Sequence, residues 1–188
     1  MAKARAKGRA KTTKRNGAGK DAIALLKADH RQVEQWFAQF EKARDDQRKQ
    51  NLAAKICGAL KVHTTIEEEI FYPAFFAATE DEELHHEAIV EHDGAKKLIA
   101  AIEASGPEDD YYDAKVKVLS EMIKHHVKEE EQPGGMFAEA RKSDMDLAAL
   151  GEQMAARKTE LEGEMGSADM APDARKGRNG GARIEGRH

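Results

Sequence analysis

Two stretches of the chain read histidine, then His-x-x-x-Glu: His30 is followed by His63 and Glu67, and His92 by His125 and Glu129. The two histidines of each copy lie 33 residues apart. One offset of 62 maps the first set onto the second, and it also lays Glu67-Glu68-Glu69 on Glu129-Glu130-Glu131. Neutral imidazole and carboxylate are ligands for divalent transition metals. On a helix, the i, i+4 spacing puts each glutamate one turn beyond its histidine on the same face. The pattern therefore points to a metal site made of His30, His63, Glu67, His92, His125 and Glu129, supplied by two copies of one helical hairpin. Such ligands accept iron, and equally manganese, zinc or nickel.

The elements that must carry these residues are helices. From Asp21 to about Glu131, apolar residues recur in steps of three and four. The first helix, about 21–46 with Asp21 as N-cap, has the seam Ile23, Leu26, His30, Val33, Phe37, Phe40. The second, about 50–79, continues Leu52, Ile56, Leu60, His63, Glu67, Ile70, with Pro73 expected to kink it late. The third, about 81–104, gives Leu84, Ala88, His92, Ala95, Ile99, Ile102 and stops at Ser105-Gly106-Pro107. The fourth, about 108–132, closes at Pro133-Gly134-Gly135. It offers two seams one residue apart: Val118, Met122, His125, Glu129, or Leu119, Ile123, His126, Glu130. Taken alone the two are near equal, and the constant offset favours the first.

Each seam is interrupted once, by histidine. Burying ionisable groups together is costly unless something compensates, and a bound metal ion does. Measured from the expected turns at a rise of ~1.5 Å per residue, the six side chains fall in one layer. The expected fold is all-α, an antiparallel up-down-up-down four-helix bundle over residues 21–142, followed by a short appended helical segment at 143–162.

Composition agrees with long helices: 35% of residues are charged and only 5% aromatic. No apolar run nears the ~18 residues of a membrane helix, and no apolar stretch follows the N-terminus as in a secretory signal. A single cysteine, Cys57, excludes an internal disulfide and fits a reducing cytoplasm. It lies near the inward seam, where a small buried hydrophobe is expected rather than a nucleophile. Residues 1–20 carry eight basic residues and no acid, on a chain of formal charge -4. They are expected to form a disordered arm able to meet nucleic acid by counterion release. Residues 163–188 are rich in glycine and charge, and are expected to be a disordered tail. Their end, Ile184-Glu185-Gly186-Arg187-His188, resembles an engineered protease site running into a purification tag.

Val62-His63-Thr64-Thr65-Ile66-Glu67-Glu68-Glu69-Ile70-Phe71-Tyr72-Pro73 and His125-His126-Val127-Lys128-Glu129-Glu130-Glu131 resemble the hallmark of the hemerythrin-like, or HHE cation-binding, family. Ala28-Asp29-His30 and Val90-Glu91-His92 add two further matches, and the resemblance covers about residues 21–142. It implies two non-haem iron ions in an antiparallel four-helix bundle, able to engage dioxygen. By motif, Glu67 and Glu129 would bridge the ions, and His30, His63, His92 and His125 would be terminal ligands.

The oxygen-carrying members place a His-x-x-x-His pair on the third helix. Here the positions four away from His92 are Ala88 and Lys96, and His85 and His86 lie roughly 10 Å off along the helix. The missing imidazole argues against reversible oxygen carriage and leaves room for water, peroxide or nitric oxide. Glu68 or Tyr72 could fill one position, although Glu68 reads better as a solvated face. The leading functional expectation is a protein that binds or senses oxygen, peroxide, nitric oxide or iron. One rival is a diiron enzyme that consumes peroxide or oxidises ferrous iron, with no catalytic residue identifiable. Another is a helical-bundle interaction protein whose basic arm binds nucleic acid.

Overall fold

The computed structural model describes residues 21–169, all helical apart from turns. Helix α1 (Ala22–Lys42) starts where the Asp21 carboxylate accepts the Ala24 amide at 2.7 Å. Three residues later α2 (Asp46–Ile66) begins, capped by Asp45 on the Arg48 amide. This cap moves the first turn forward of the expected boundary, so α2 starts at Asp46 rather than near Gln50.

Above Ile66 the same rod widens into a π-turn, Glu67–Phe71, and runs on as α3 (Tyr72–Thr79). Pro73 supplies the reason: it has no amide to give the preceding turn, and its ring crowds the carbonyl four residues back. The chain adds one residue to the turn, so the Tyr72 amide bonds to Glu67 O. That wider turn brings residue i+5 over residue i, and Tyr72 therefore faces inward together with Glu67.

Glu80, in the left-handed region at φ 54°, ends α3, and Asp81 caps α4 (Glu82–Glu103) on the Leu84 amide. Helix α5 (Tyr112–Glu131) returns antiparallel beside it. Each of the four rods packs on its chain neighbour, and α5 closes the ring against α1.

Gly134, at φ +83°, then turns the chain, and Gly135 lies so close to the Glu129 carbonyl that a Cβ would sit 2.0 Å from it. This tight reversal folds α6 (Met136–Lys142) back over the bundle end, an element absent from the sequence expectation. Helix α7 (Leu147–Asp169) is longer than the segment expected at 143–162 and leans along α1 and α2, with Met154 fully buried. The arm at 1–20 and the tail beyond Asp169 lie outside the described residues.

Two apolar clusters fill the interior. One gathers Phe37, Phe40, Ile56, Leu60, Ile99 and Leu119; the other gathers Ile23, Leu26, Ile66, Phe71, Phe75 and Phe137. Cys57 is buried in the first, and burial pushes its thiol up to about 12, consistent with packing rather than nucleophilic chemistry.

Helix α5 presents Tyr112, Val116, Leu119, His126 and Glu130 to the core, with Ile123 packed beside them. Its seam is thus rotated one residue from the one favoured by the offset. Leu119→Ala is expected to cost about 2–5 kcal/mol. Val118→Ala, at a position 47% exposed, should change stability by less than about 0.5 kcal/mol. Urea unfolding of both variants checks the register, since the alternative seam predicts the reverse order.

Candidate metal centre

Between the two apolar clusters lies one polar layer: His30 from α1, His63 from α2, Glu67 from the π-turn, His92 from α4, and His126 and Glu130 from α5, all buried. Four of the six, His30, His63, Glu67 and His92, are residues expected from spacing. The expected His125 and Glu129 are displaced: His125 points outward, its side chain 61% exposed, and Glu129 lies beside it, while His126 and Glu130 face inward. The constant offset assumed equal connections in both hairpins. The link before α5 is longer than the one before α2, so His92 and His126 are 34 residues apart where His30 and His63 are 33.

The layer has approximate two-fold symmetry. His30 Nε2 and His63 Nε2 are 3.0 Å apart, and His92 Nε2 and His126 Nε2 are 3.3 Å apart. Glu67 Oε2 lies 3.3 Å from His63 Nε2 and 3.4 Å from His92 Nε2, spanning the two pairs. Glu130 spans them from the other side, with Oε2 at 3.4 Å from His30 Nε2 and Oε1 at 3.7 Å from His126 Nε2.

A carboxylate stands behind every ring. His30 Nδ1 donates to Glu131 at 2.9 Å, His92 Nδ1 to Glu68 at 2.9 Å and His126 Nδ1 to Glu91 at 2.7 Å, while His63 Nδ1 faces Asp29 at 3.6 Å. A ring that keeps its proton on Nδ1 for such a partner turns a lone pair on Nε2 toward the centre. Cations hold three of these carboxylates in turn: Lys158 on Asp29, Lys96 on Glu68, and Arg31 with Lys27 on Glu131. Glu68, half-buried, thus lies between His92 and Lys96 and braces the ring. The four bracing acids were missed in the sequence. Their signal is adjacency, since Asp29 and Glu91 each precede a histidine of the layer, and Glu68 and Glu131 each follow a glutamate of it.

Burial depresses the two α1 and α4 histidines. His30 is held well below the ordinary range by burial and then by the neighbouring His63 and His126, and burial takes His92 down to about 2. Burial also pulls His126 down, but the Glu130 charge and the Glu91 bond outweigh it and raise the group. Glu67 is raised well above the carboxylate range by burial and by the facing Glu130, and burial raises Glu130 as well.

Both Glu67 oxygens and Glu130 Oε2 are buried with no hydrogen-bond partner. Nitrogens about 3 Å apart and orphaned carboxylate oxygens are a donor set that fits a cation. Two donors at right angles about an ion ~2.1 Å away would lie about 3 Å apart. His30, His63 and Glu67 converge in this way, as do Glu67, His92 and His126.

The two halves differ in what covers them. The Tyr72 hydroxyl donates to Glu130 Oε1 at 3.2 Å and lies 3.1 Å from His92 Nε2. Burial, then the Glu67 and Glu130 charges, keep its proton on well above the usual phenol range. Over His30 lies the Phe137 ring, stacked at 5.9 Å. His85 packs beside Tyr72 and Phe76 rather than in the layer.

Comparison with known proteins places this arrangement. A DNA nickase from Nostoc sp. is 28% identical over 120 residues, covering 62% of this chain and 32% of that protein, so the chain spans about a third of its relative's length. The crystal structure of a hemerythrin HHE cation binding domain-containing protein from Mycobacterium kansasii has the same fold, with a TM-score of 0.67 at 24% identity over 80% of this chain and 93% of that one. The family model for the hemerythrin HHE cation binding domain matches residues 21–133. The span holds the four rods and the whole buried layer, and the chain belongs to the hemerythrin HHE cation-binding family.

Proposed function

We propose that this protein holds two non-haem iron ions on His30, His63, His92, His126, Glu67 and Glu130, and binds or senses a small molecule such as dioxygen, peroxide or nitric oxide. The observation that carries this reading is the pair of His-His-carboxylate groups sharing Glu67, with orphaned oxygens aimed between them. Two histidines and a carboxylate per ion, with positions left open, is the ligand set of non-haem ferrous sites that meet oxygen species. Iron so held supplies electron exchange and a place for the small molecule to bind.

The chain's own groups shape the rest. Phe71 and Phe137 keep bulk water from the layer, and Tyr72 Oη holds a proton beside the half formed by His92 and His126. A cavity of about 250 Å³ between α1 and α5, floored by Phe37, Ile123 and Val127, reaches His30 from outside and suits passage of a diatomic molecule. Tyr72, rather than a fifth imidazole, stands next to His92, which supports sensing or consumption over reversible carriage.

A second reading is carried by the name of the Nostoc relative together with the basic arm, eight cations without an acid in residues 1–20, which favours polyanion contact through counterion release. DNA retardation that falls steeply with salt and disappears on deletion of 1–20 is the expected result. Retardation unchanged by the deletion refutes the role of the arm.

The purified protein loaded aerobically should contain about two irons per chain, with near-ultraviolet absorption that shifts on adding azide or nitric oxide. His63→Ala should lower iron affinity at least tenfold, a change of the size outer contacts alone can produce. Iron loading with no spectral response to either ligand refutes small-molecule binding.

The apo-protein should show the cost of the cage. Glu67 holds its proton to higher pH folded than unfolded, so its contribution to stability is present at low pH. That contribution is lost as pH rises through 4.5 toward the folded value. Glu67→Gln should therefore stabilise the apo-protein at pH 8 by about 1–3 kcal/mol, a gain that shrinks toward pH 5. The same substitution should abolish stabilisation by metal, and urea unfolding with and without iron measures both.

A further inference from the structure

The four acids that brace the histidines are not treated alike. Asp29 meets Lys158, Glu68 meets Lys96, and Glu131 meets Arg31. Among the described residues Glu91 has no lysine or arginine; its partners are His126 inside and His125 outside. In the two-fold arrangement Glu91 corresponds to Asp29, whose cation arrives from α7. Helix α7 packs mainly along the first hairpin, and among the described residues no equivalent helix brings a cation to Glu91.

In place of that cation the surface offers ligands. His125 Nε2 lies 3.3 Å from Glu91 Oε1 and 3.2 Å from Glu129 Oε1, and one donor atom from each of the three falls within 4.8 Å of the others. Behind them a narrow cleft of about 10 Å³, lined by Glu91, Glu129, His126 and Glu130 with the apolar Leu84 and Met136, separates the surface group from the layer. At its inner end lies the buried Glu130, whose Oε2 faces His30 across the layer. The Glu91 carboxylate thus serves both ends of the cleft, one oxygen on His126 and the other toward the outer group.

We propose that Glu91, His125 and Glu129 form an outer site for a divalent cation, through which an ion passes inward to the buried layer. Imidazole with two carboxylates suits a divalent transition metal of borderline softness. An exposed site of three ligands holds its ion less tightly than a closed one, as a way station requires. The route rests on the metal-binding reading of the buried layer, whereas the outer site does not.

Cobalt(II) is the probe, since its visible absorption reports each bound ion. Titration of the full-length apo-protein should show two tight equivalents and a third, weaker one. The double variant His125→Ala/Glu129→Gln should lose the third and fill the other two several-fold more slowly in stopped flow, to the same final spectrum. His125→Lys supplies the fixed cation that the other three braces possess, and should likewise block the third ion. His63→Ala should remove tight uptake and leave the weak equivalent in place.

A wild-type protein without a third equivalent, or variants that keep it, overturns the outer site. Loss of the third equivalent with unchanged filling overturns the route and leaves the site. Weak uptake alone in the wild type refutes the buried diiron reading while upholding the outer site.

Discussion

Six ionisable side chains share the buried middle of this bundle, and most of the structure answers to that burial. An unpaired charge in such a place is costly, and the chain meets the cost in two ways. It keeps His30 and His92 neutral, and it holds the raised Glu67 and Glu130 carboxylates face to face between the histidine pairs. The hydrogen-bonded braces outside fix which nitrogen of His30, His92 and His126 is the lone pair. The apolar clusters above and below seal the layer and hold the helices in register. What remains unsatisfied is directed to one place, which is the physical meaning of a preformed site: the fold bears the strain that an ion relieves.

Much of this was legible in the residues. The 3–4 seams of α1, α2 and α4 needed only apolar periodicity, and their interruption by His30, His63 and His92 announced the layer. The seam of α5 was not legible, because the helix is amphipathic in two frames and a doubled His125-His126 with a run of three glutamates fits either. Internal symmetry pointed to the wrong frame. A repeat constrains the helices that pack, not the loops that join them, and with a longer connection before α5 the histidine spacing grows from 33 to 34 without disturbing either hairpin.

Other features lie beyond periodicity for different reasons. Pro73 foretold an irregularity, yet nothing in composition says whether a helix will bend or widen. Widening carries Tyr72 onto the Glu67 face, and the hydroxyl beside His92 follows from it. The braces are acids on a chain full of acids, and only packing separates Glu68, held between His92 and Lys96, from Glu69, which pairs with Arg157 on the surface.

Helix α7 gives the layer an unexpected correspondent. Lys158 on that helix meets Asp29, and Asp29 faces His63. Imidazole placement at the centre and docking of α7 are therefore coupled through Asp29. Thermodynamic reciprocity makes the traffic two-way: by whatever factor docking of α7 favours filling of the centre, filling favours docking by that same factor. Helix α7 is, in this sense, a reporter on the layer it touches through one carboxylate.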